Sequence, residues 1–490
     1  MILAPRIKSA LATAVTALSV AGSIWAMSQW GFGTSPDSVV YVAGARSLAT
    51  GAGFTEPSNA GAAIPIVHFP PLFSFLLATF SIWKIDALDG AAIMNAALLA
   101  LNICLSAALV YRATGSVLAG FAAVLLTASA PAIVITHTMV WSEPLFLCLL
   151  LLTALAISDY SERQSLASLV CAWVPMMLAP LTRYAGFAVI VAAAISVARK
   201  NFNHALALLV AGSAGIALWM ARNYSFSSSA TGRRLSLHVP TIDLLSLAWQ
   251  TVAEWFGGWP LMAVIAVLIV ATLARRSRHI QSAAQSEFLL DFAVVYVLLI
   301  ASTVMFFDAQ TPLDRRILSP LYLSLSIWTI IKITTIAGKE LRLAWLMVAV
   351  VLTLANSRTS LEWLKTLWSQ GVQFSSAAWR LSPTIQYIKT QRLKRVYSNA
   401  PEAVFLLTGI PAAMLPMHTN AGTLSENPYY REEIAQMNSS GEVVVYFNAM
   451  NWRWYVPGEE RLKTELSLSQ VAALTDGAVY RINWTKPGGK

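Results

Sequence analysis

Charged residues are scarce in this chain. Asp, Glu, Lys and Arg make up 12% of its 490 residues, whereas ordinary soluble domains contain about 25%. Hydrophobic residues make up 57%, and the mean hydropathy is +0.60. This composition predicts an α-helical polytopic membrane protein.

Cysteine is equally scarce, with three residues in the whole chain. Cys104, Cys148 and Cys171 all lie inside apolar runs, where a thiol behaves as a small hydrophobic group. None has a second cysteine at a spacing that suggests a pair. The sequence therefore gives no indication of a disulfide or a zinc site.

The net charge of +10 raises the question of a nucleic-acid partner. The basic residues, however, lie mostly in short gaps between apolar runs, which is the pattern of cytoplasmic loops in membrane proteins. We therefore expect membrane lipids around the chain and no nucleic acid. No metal or other cofactor is indicated, although a divalent metal remains an alternative for the acidic residues described below.

Apolar windows of about 20 residues, the length needed to cross a bilayer, recur as far as residue 357. We expect about eleven transmembrane helices, at residues 9–28, 91–111, 117–136, 143–159, 165–181, 185–198, 203–221, 259–274, 288–307, 318–336 and 342–357. The first run follows Arg6 and Lys8, as a signal peptide would. It is long for one and lacks a clean cleavage site, so we expect a retained span.

The positions of the basic residues predict the orientation of these spans. With the N-terminus in the cytoplasm of a cell bounded by its plasma (inner) membrane, alternate gaps contain Arg112, Arg163, Arg199 and Arg275. This parity requires residues 70–83 to form an interfacial helix on the outer leaflet instead of a span. The outer gaps nevertheless contain several arginines, which are candidates for function: Arg183, Arg222, Arg233, Arg234, Arg315 and Arg316.

After residue 357 the charged residues return. The segment 358–380 predicts an interfacial linker helix, since Leu361, Leu364 and Leu367 share one face. Residues 381–490 alternate short strands and helices, which predicts a small α/β domain outside the cell. This tail contains no GxGxxG or GxxxxGK[ST] loop.

One acid stands near the start of this hydrophobic chain. Asp37 lies in TSPDSVVYVAGARSLATGAGF, in the predicted first outer loop at residues 29–90. From residue chemistry alone, the simpler interpretation is that Asp37 caps a short helix, since SPDS suits a helix start.

Several motifs together carry a family resemblance. Asp37, Tyr41, Ala45, Arg46, Leu48, Gly51, Gly53 and Phe54 are followed by His68, Pro70, Pro71 and Leu72, then by SEPLF at 142–146, LTRYAGF at 181–187 and DRRILSPLY at 314–322. In this order they resemble the GT-C superfamily of polyprenyl-phosphate-dependent glycosyltransferases, most of all the bacterial branch related to protein mannosyltransferases and lipid A aminoarabinose transferases. Residues 1–357 would then be a GT-C-like catalytic domain.

The resemblance implies a reaction and a catalytic residue. The protein would be a glycosyltransferase that moves a sugar, with inversion, from a polyprenyl-phosphate donor to an acceptor on the outer face. Asp37 matches the family's catalytic base. A carboxylate is chemically suited to this role, because the acceptor hydroxyl must lose a proton as it attacks the anomeric carbon. The acceptor class, whether lipid, glycan or protein, stays open.

The departing polyprenyl phosphate is an anion, so the site needs a cation. Arg315 and Arg316 lie in a short outer loop and are candidates for binding this phosphate. An interfacial anchor or a salt bridge with Asp308 or Asp314 is the alternative. His68 is a third candidate for the phosphate, and simple anchoring is its alternative.

A second acid, Glu143, opens a predicted span on the outer side. It is a candidate for orienting the acceptor or for holding a metal together with Asp37, while a helix-start acid is the simpler interpretation. The absence of a D-x-D in this loop argues against the metal-dependent variant.

Two other classes of protein share some of these features. A multi-spanning lipid or glycan transporter (flippase) would also be basic and hydrophobic, but such proteins place ionisable residues near the middle of the membrane. A non-catalytic assembly or sensor protein would leave the motif series without a purpose. Transfer of a sugar from a polyprenyl-phosphate donor would distinguish the enzyme from both.

Overall fold

The computed structural model describes residues 5–57, 63–233, 235–259, 284–336, 339–391, 393, 396–438 and 442–483. Helices dominate its first 370 residues: α1 (Pro5–Ala26), α2 (Pro36–Ala49), α3 (Leu72–Thr79), α4 (Ala87–Thr114), α5 (Val117–Ser129), α6 (Pro131–His137), α7 (Glu143–Arg163), α8 (Leu166–Thr182), α9 (Phe187–Ala198), α10 (Phe202–Ser227), α11 (Ile242–Glu254), α12 (Ala284–Phe306), α13 (Ser319–Ile336) and α14 (Lys339–Gln370).

Within the described residues, six helices are long and apolar enough to cross a membrane: α1, α4, α7, α10, α12 and α14. A bent pair, α5 and α6, makes a seventh candidate. A helix also lies at each remaining predicted span except 259–274, which from residue 260 onward falls outside the described residues. The structure is therefore that of a helical membrane protein, and the total of eleven spans stays a prediction.

The span expected at 117–136 is broken. Helix α5 ends at Ser129 and α6 starts at Pro131, with a bend of 59° between them. Proline lacks the backbone N–H that would continue the helix, and its ring clashes with the preceding turn. The second half of this segment therefore runs in a new direction before the loop at 138–142.

The apolar stretch at 70–83 is short, as expected. Helix α3 and a following 3-10 turn, Phe80–Trp83, pack against α2 and α4. Phe73 and Leu77 are buried, whereas Ile82 and Trp83 remain exposed. This helix is too short to cross a bilayer, and its exposed apolar edge suits the membrane surface.

The linker helix predicted at 358–380 is not a separate element. Helix α14 continues without a break from Lys339 to Gln370, and Gly371 then ends it in a left-handed conformation (φ 68°). Leu364 and Leu367, expected at a membrane surface, pack instead against the helical core. The prediction failed because no helix-breaking residue separates the apolar span from the amphipathic stretch.

The remainder of the chain contains a five-stranded mixed sheet. After α15 (Ala377–Arg380) and α16 (Pro383–Gln391) come β3 (Val396–Ser398), α17 (Pro401–Thr408), β4 (Ala412–Met414), α18 (Tyr430–Asn438), β5 (Val443–Phe447), α19 (Glu459–Glu465), β6 (Leu468–Leu474) and β7 (Gly477–Ile482). The strand order is β4-β3-β5-β7-β6, parallel among the first three and antiparallel after them. A small hairpin, β1 (Thr55–Glu56) and β2 (Ile64–Pro65), lies in the first loop.

The sheet unit packs onto the helical part close to α2. Val39 of α2 and Phe374 share a buried cluster with Ile385, Val404 and Val445. The other face of the sheet has its own core around Val444, Ile434 and Tyr480. The first loop, the start of α2 and the sheet therefore lie at the same end of the helical bundle.

Candidate active site

The start of α2 is held by two neighbouring segments. The Gly33 N–H donates to the Thr138 carbonyl (2.9 Å), and the Val140 N–H donates to the Gly33 carbonyl (2.8 Å). The Phe374 N–H donates to the Thr34 carbonyl (3.0 Å). These bonds fix the residues before α2 between the loop that precedes α7 and the segment that follows α14.

Ser35, not Asp37, caps α2. The Ser35 and Ser38 side chains form a reciprocal capping box, and Pro36 occupies the first helical position. Asp37 follows in the first turn, where its carboxylate is not needed as the cap. Its Oδ2 instead accepts a hydrogen bond from Arg316 Nη1 at 2.6 Å, and 34% of its side chain stays exposed.

Arg316 is fixed on three sides. The backbone N–H groups of Arg316 and Ile317 donate to Asp314 Oδ1 (3.0 and 3.1 Å), which orders the loop before α13. The guanidinium lies over the Trp141 ring, 4.4 Å from its centroid, and its Nε donates to Glu143. Arg316 therefore joins the two acids expected to face each other, Asp37 and Glu143.

Glu143 lies at the first position of α7 and is almost inaccessible, with 1% of its side chain exposed. Its Oε1 accepts hydrogen bonds from both Arg316 and Arg183. Its Oε2 is also buried, without a hydrogen-bond partner among the residues that the structure describes. The helix start and two guanidinium groups stabilise this buried charge.

Uncharged side chains complete the attachment of α2. The Tyr41 hydroxyl lies 3.1 Å from Ser142 Oγ, and Trp141 Nε1 donates to Ser35 Oγ at 2.8 Å. Two of the predicted motifs, one in the first outer loop and one at SEPLF, therefore meet through direct contacts. We refer to Asp37, Glu143, Arg183 and Arg316 together as the outer-end cluster.

The charges of the cluster act on the acidity of Asp37. Burial alone raises the pKa of this carboxyl, but the charge and hydrogen bond of Arg316, together with Arg183 and His68, outweigh that effect and hold the pKa below its usual value. Asp37 is therefore ionised at neutral pH.

His68 lies close enough to interact electrostatically with Asp37. Burial lowers the pKa of its imidazole and Arg233 adds to this, while the charge of Asp37 opposes them. The imidazole is therefore neutral at pH 7. Two other segments fix the backbone just before His68. The Val67 carbonyl accepts hydrogen bonds from the Tyr184 hydroxyl (3.0 Å) and from Asn223 Nδ2 (2.9 Å).

Arg315 is not part of the cluster. Its Nη2 donates to Glu254 Oε1 at 2.7 Å, and its Nε donates to the other oxygen of that carboxylate. Neither acid expected for the salt bridge is the partner, since Asp308 pairs with Arg233 and Asp314 orders the loop backbone. The two neighbouring arginines thus differ completely in their surroundings.

The sequence did not single out two members of this site. Arg183 was one of six arginines noted in the outer gaps, without a role of its own, and Trp141 was not considered. The signal for Arg183 was its place in an outer gap, where a basic residue breaks the charge pattern. Nothing in the sequence marks Trp141, because its role depends on the fold that brings residues 141 and 316 together.

Both acids of the cluster are paired with arginines. A divalent cation between Asp37 and Glu143 would meet two guanidinium groups that already neutralise both carboxylates. Within the described part of the chain, no group of three or more His, Cys, Asp or Glu residues is arranged to hold a metal ion.

Comparisons with known proteins agree with this architecture. The chain superposes on two crystal structures of ArnT from Cupriavidus metallidurans, one bound to undecaprenyl phosphate and one in the apo state. The TM-scores are 0.60 and 0.59, and the sequence identities are 14% and 13%. Each match covers 95% of this chain and 97% of the ArnT chain. The protein shares the fold of ArnT.

A second, larger protein shares this fold. The arabinofuranosyltransferase AftD from Mycobacteria matches 99% of this chain with a TM-score of 0.52 and 14% identity, but the match covers only 42% of AftD. By sequence alone, neither a protein family nor a curated protein matches the chain. The predicted resemblance is thus confirmed at the level of the fold.

Proposed function

We propose that the protein is an integral membrane glycosyltransferase that transfers a sugar from a polyprenyl-phosphate donor to an acceptor on the outer face of the membrane. It would reside in the plasma (inner) membrane with its N-terminus in the cytoplasm and its sheet domain outside. The observation that carries this proposal is the contact between Asp37 and Arg316, made by residues 279 positions apart. It unites a candidate base with a candidate phosphate ligand on a GT-C fold.

The donor class rests on two supports. ArnT, whose fold this chain shares, has been crystallised with undecaprenyl phosphate. Arg316 offers a largely buried guanidinium, 14% exposed, where an anion is bound more strongly than in water. His68 lies near the same carboxylate and can donate one further hydrogen bond to the phosphate. We assign the phosphate to these two residues and leave Arg315 with Glu254.

The transfer follows from these positions. The acceptor hydroxyl oxygen attacks the anomeric carbon and gives its proton to Asp37, while the bond from that carbon to the phosphate oxygen breaks. The polyprenyl phosphate leaves with the electron pair and its charge is stabilised by Arg316. Attack on the face opposite the leaving group inverts the anomeric centre.

Donor binding would also strengthen the base. In the free protein Arg316 holds the pKa of Asp37 low, and a weakly basic carboxylate is a poor proton acceptor. A phosphate bound to Arg316 offsets its charge and competes for its hydrogen bonds, so the pKa of Asp37 rises. The base would therefore become effective only when the donor is in place.

Glu143 and Arg183 would act as positioning residues. Glu143 is too deeply buried to touch an acceptor, so we replace its expected acceptor-orienting role with that of holding Arg316. Arg183 contacts the same oxygen of Glu143 as Arg316 does. Its positive charge balances the second of the two carboxylate charges in the cluster. This arrangement keeps Arg316 aimed at Asp37 in the absence of donor.

Glycan mass spectrometry of a deletion strain tests the proposed function. The strain is complemented with the wild-type protein, with Asp37→Asn, or with Arg199→Ala as a matched control at the opposite end of the bundle. We expect a polyprenyl-linked sugar to accumulate and an envelope glycan to lose that sugar, with rescue by the wild type and the control only. Rescue by Asp37→Asn at equal protein levels would refute the catalytic assignment.

A further inference from the structure

A cavity of about 530 Å³ lies between the helical part and the sheet domain. One wall is the loop after α10, at Gly232, Arg233 and Ser236, and the floor includes Phe307 at the end of α12. The opposite wall is the segment 417–433 of the sheet domain. The volume of the cavity lies within the range of about 300–1,000 Å³ that is typical of small-molecule sites.

The walls of this cavity are connected by direct bonds. The Ala309 N–H donates to the Gly422 carbonyl at 3.2 Å, which joins the end of α12 to the sheet domain. The Ser236 N–H donates to the Phe306 carbonyl at 2.9 Å, and Arg233 pairs with Asp308. These bonds hold the three segments that line the cavity in fixed positions relative to one another.

The lining is polar with one exposed aromatic ring. Asn420, Thr423 and Glu426 supply amide, hydroxyl and carboxylate groups, and the Tyr429 side chain is 60% exposed. Such groups can both donate to and accept from sugar hydroxyls, and an aromatic ring can pack against the apolar face of a sugar. This combination suits a carbohydrate better than an apolar chain.

The charges of the cavity lining limit the chemical class of the ligand further. Arg233 is neutralised by Asp308, whereas Glu426 and Glu433 add negative charge to the same cavity. An anionic ligand such as a phosphate would be repelled by these acids. The cavity therefore fits a neutral sugar.

The cavity borders the loop that carries His68. A Cβ atom added to Gly232 would lie 3.1 Å from Cβ of His68, so this wall touches the loop that carries His68. His68 in turn interacts with Asp37. We propose that the cavity binds the neutral carbohydrate part of the acceptor, next to the hydroxyl that is glycosylated. The assignment of this cavity to the acceptor rests on the proposed function.

Two measurements with the full chain in lipid nanodiscs test this proposal. The first is binding to an array of neutral and anionic mono- to trisaccharides, without donor. We expect the wild type to bind neutral glycans, and Tyr429→Ala to bind them about tenfold more weakly, the effect of one lost aromatic contact. Leu424→Ala, on the same loop but outside the cavity lining, is the control and should bind as the wild type does.

The second measurement is transfer kinetics with the acceptor identified from the deletion strain. Tyr429→Ala should raise the acceptor KM about tenfold, with kcat and the donor KM nearly unchanged. No neutral-glycan binding by the wild type, equal binding by Tyr429→Ala, or an unchanged acceptor KM would overturn the proposal. Loss of glycan binding in Tyr429→Ala without any transfer by the wild type would instead refute the proposed function alone.

Discussion

Two sets of ion pairs lie at opposite ends of the helical bundle, and they differ in depth and in connectivity. At one end, Arg199 forms a bidentate pair with Asp291 (2.6 and 2.7 Å) and keeps 42% of its side chain exposed. At the other, Arg316 is 14% exposed and contacts two carboxylates from two different elements. The pair with Asp291 joins the end of α9 to α12, whereas the outer-end cluster gathers charges from four segments.

We infer from this difference which end of the bundle carries the function. Half-exposed ion pairs contribute little to stability and need no partner beyond their neighbour. Buried charges are costly, and a protein that keeps several of them together with one accessible carboxylate has them for a purpose other than stability. Asp37 is that accessible carboxylate.

The substitution Asp37→Asn should have the largest effect on catalysis. The amide keeps the shape of the side chain but cannot accept the acceptor's proton, so we expect kcat to fall by about 10²–10⁴-fold. Steady-state transfer in nanodiscs measures this, and the thermal unfolding midpoint should fall less than in Glu143→Gln, because Arg316 keeps its pair with Glu143. Turnover within a few fold of the wild type would separate the cluster from catalysis.

Glu143→Gln should affect both stability and activity. Removing this charge leaves Arg183 and Arg316 without their shared carboxylate, and breaking a buried ion pair costs about 3–5 kcal/mol. We expect a lower unfolding midpoint in detergent and a lower kcat/KM for the donor. Glu254→Gln, which breaks the more exposed pair with Arg315, is the matched control and should change both quantities much less.

The pH dependence should differ between the free and the donor-bound enzyme. Protonated Asp37 cannot act as a base, so activity falls as the pH drops through its pKa. Because Arg316 holds this pKa below its usual value in the free protein, the acid limb of kcat/KM for the donor should lie at low pH. Phosphate bound to Arg316 raises the pKa, so the acid limb of kcat should lie at higher pH. Coinciding limbs would contradict donor-linked activation of Asp37.

Arg199→Ala should have the smallest effect. Arg199 is half-exposed, and its pair with Asp291 lies at the opposite end of the helical bundle from the cluster. We therefore expect transfer activity within about twofold of the wild type and a stability loss of about 0–1 kcal/mol. The same transfer and unfolding assays apply. A loss as large as that of Asp37→Asn would mean that the two ends do not differ in the way described.

Much of this architecture could be predicted from the sequence, because it depends on local patterns. Apolar windows located most of the long helices, and short strands were expected within residues 381–490, where β3 to β7 occur. Asp37, Glu143 and Arg316 were singled out because each breaks the pattern of its surroundings: an acid in a hydrophobic chain, or a basic residue in an outer loop. Their motifs also carried the resemblance that the fold comparison confirmed.

The remaining features depend on contacts that no local pattern encodes. Arg315 and Arg316 are neighbours with the same charge, and only the fold sends one to Glu254 and the other to Asp37. Residue chemistry alone favoured Asp37 as a helix cap, but Ser35 occupies the N-cap of α2, and the backbone decides which residue takes that position. The continuation of α14 past residue 358 differs from these two cases, because the absence of a helix-breaking residue before Gly371 is visible in the sequence.

The most direct measurement is the release of polyprenyl phosphate from a polyprenyl-phosphate sugar in proteoliposomes supplied with the acceptor fraction. It compares the wild type, Asp37→Asn and Arg199→Ala at equal protein amounts. We predict acceptor-dependent release by the wild type and Arg199→Ala, and almost none by Asp37→Asn. Equal release by all three proteins, or none by the wild type, would contradict a catalytic role for the outer-end cluster.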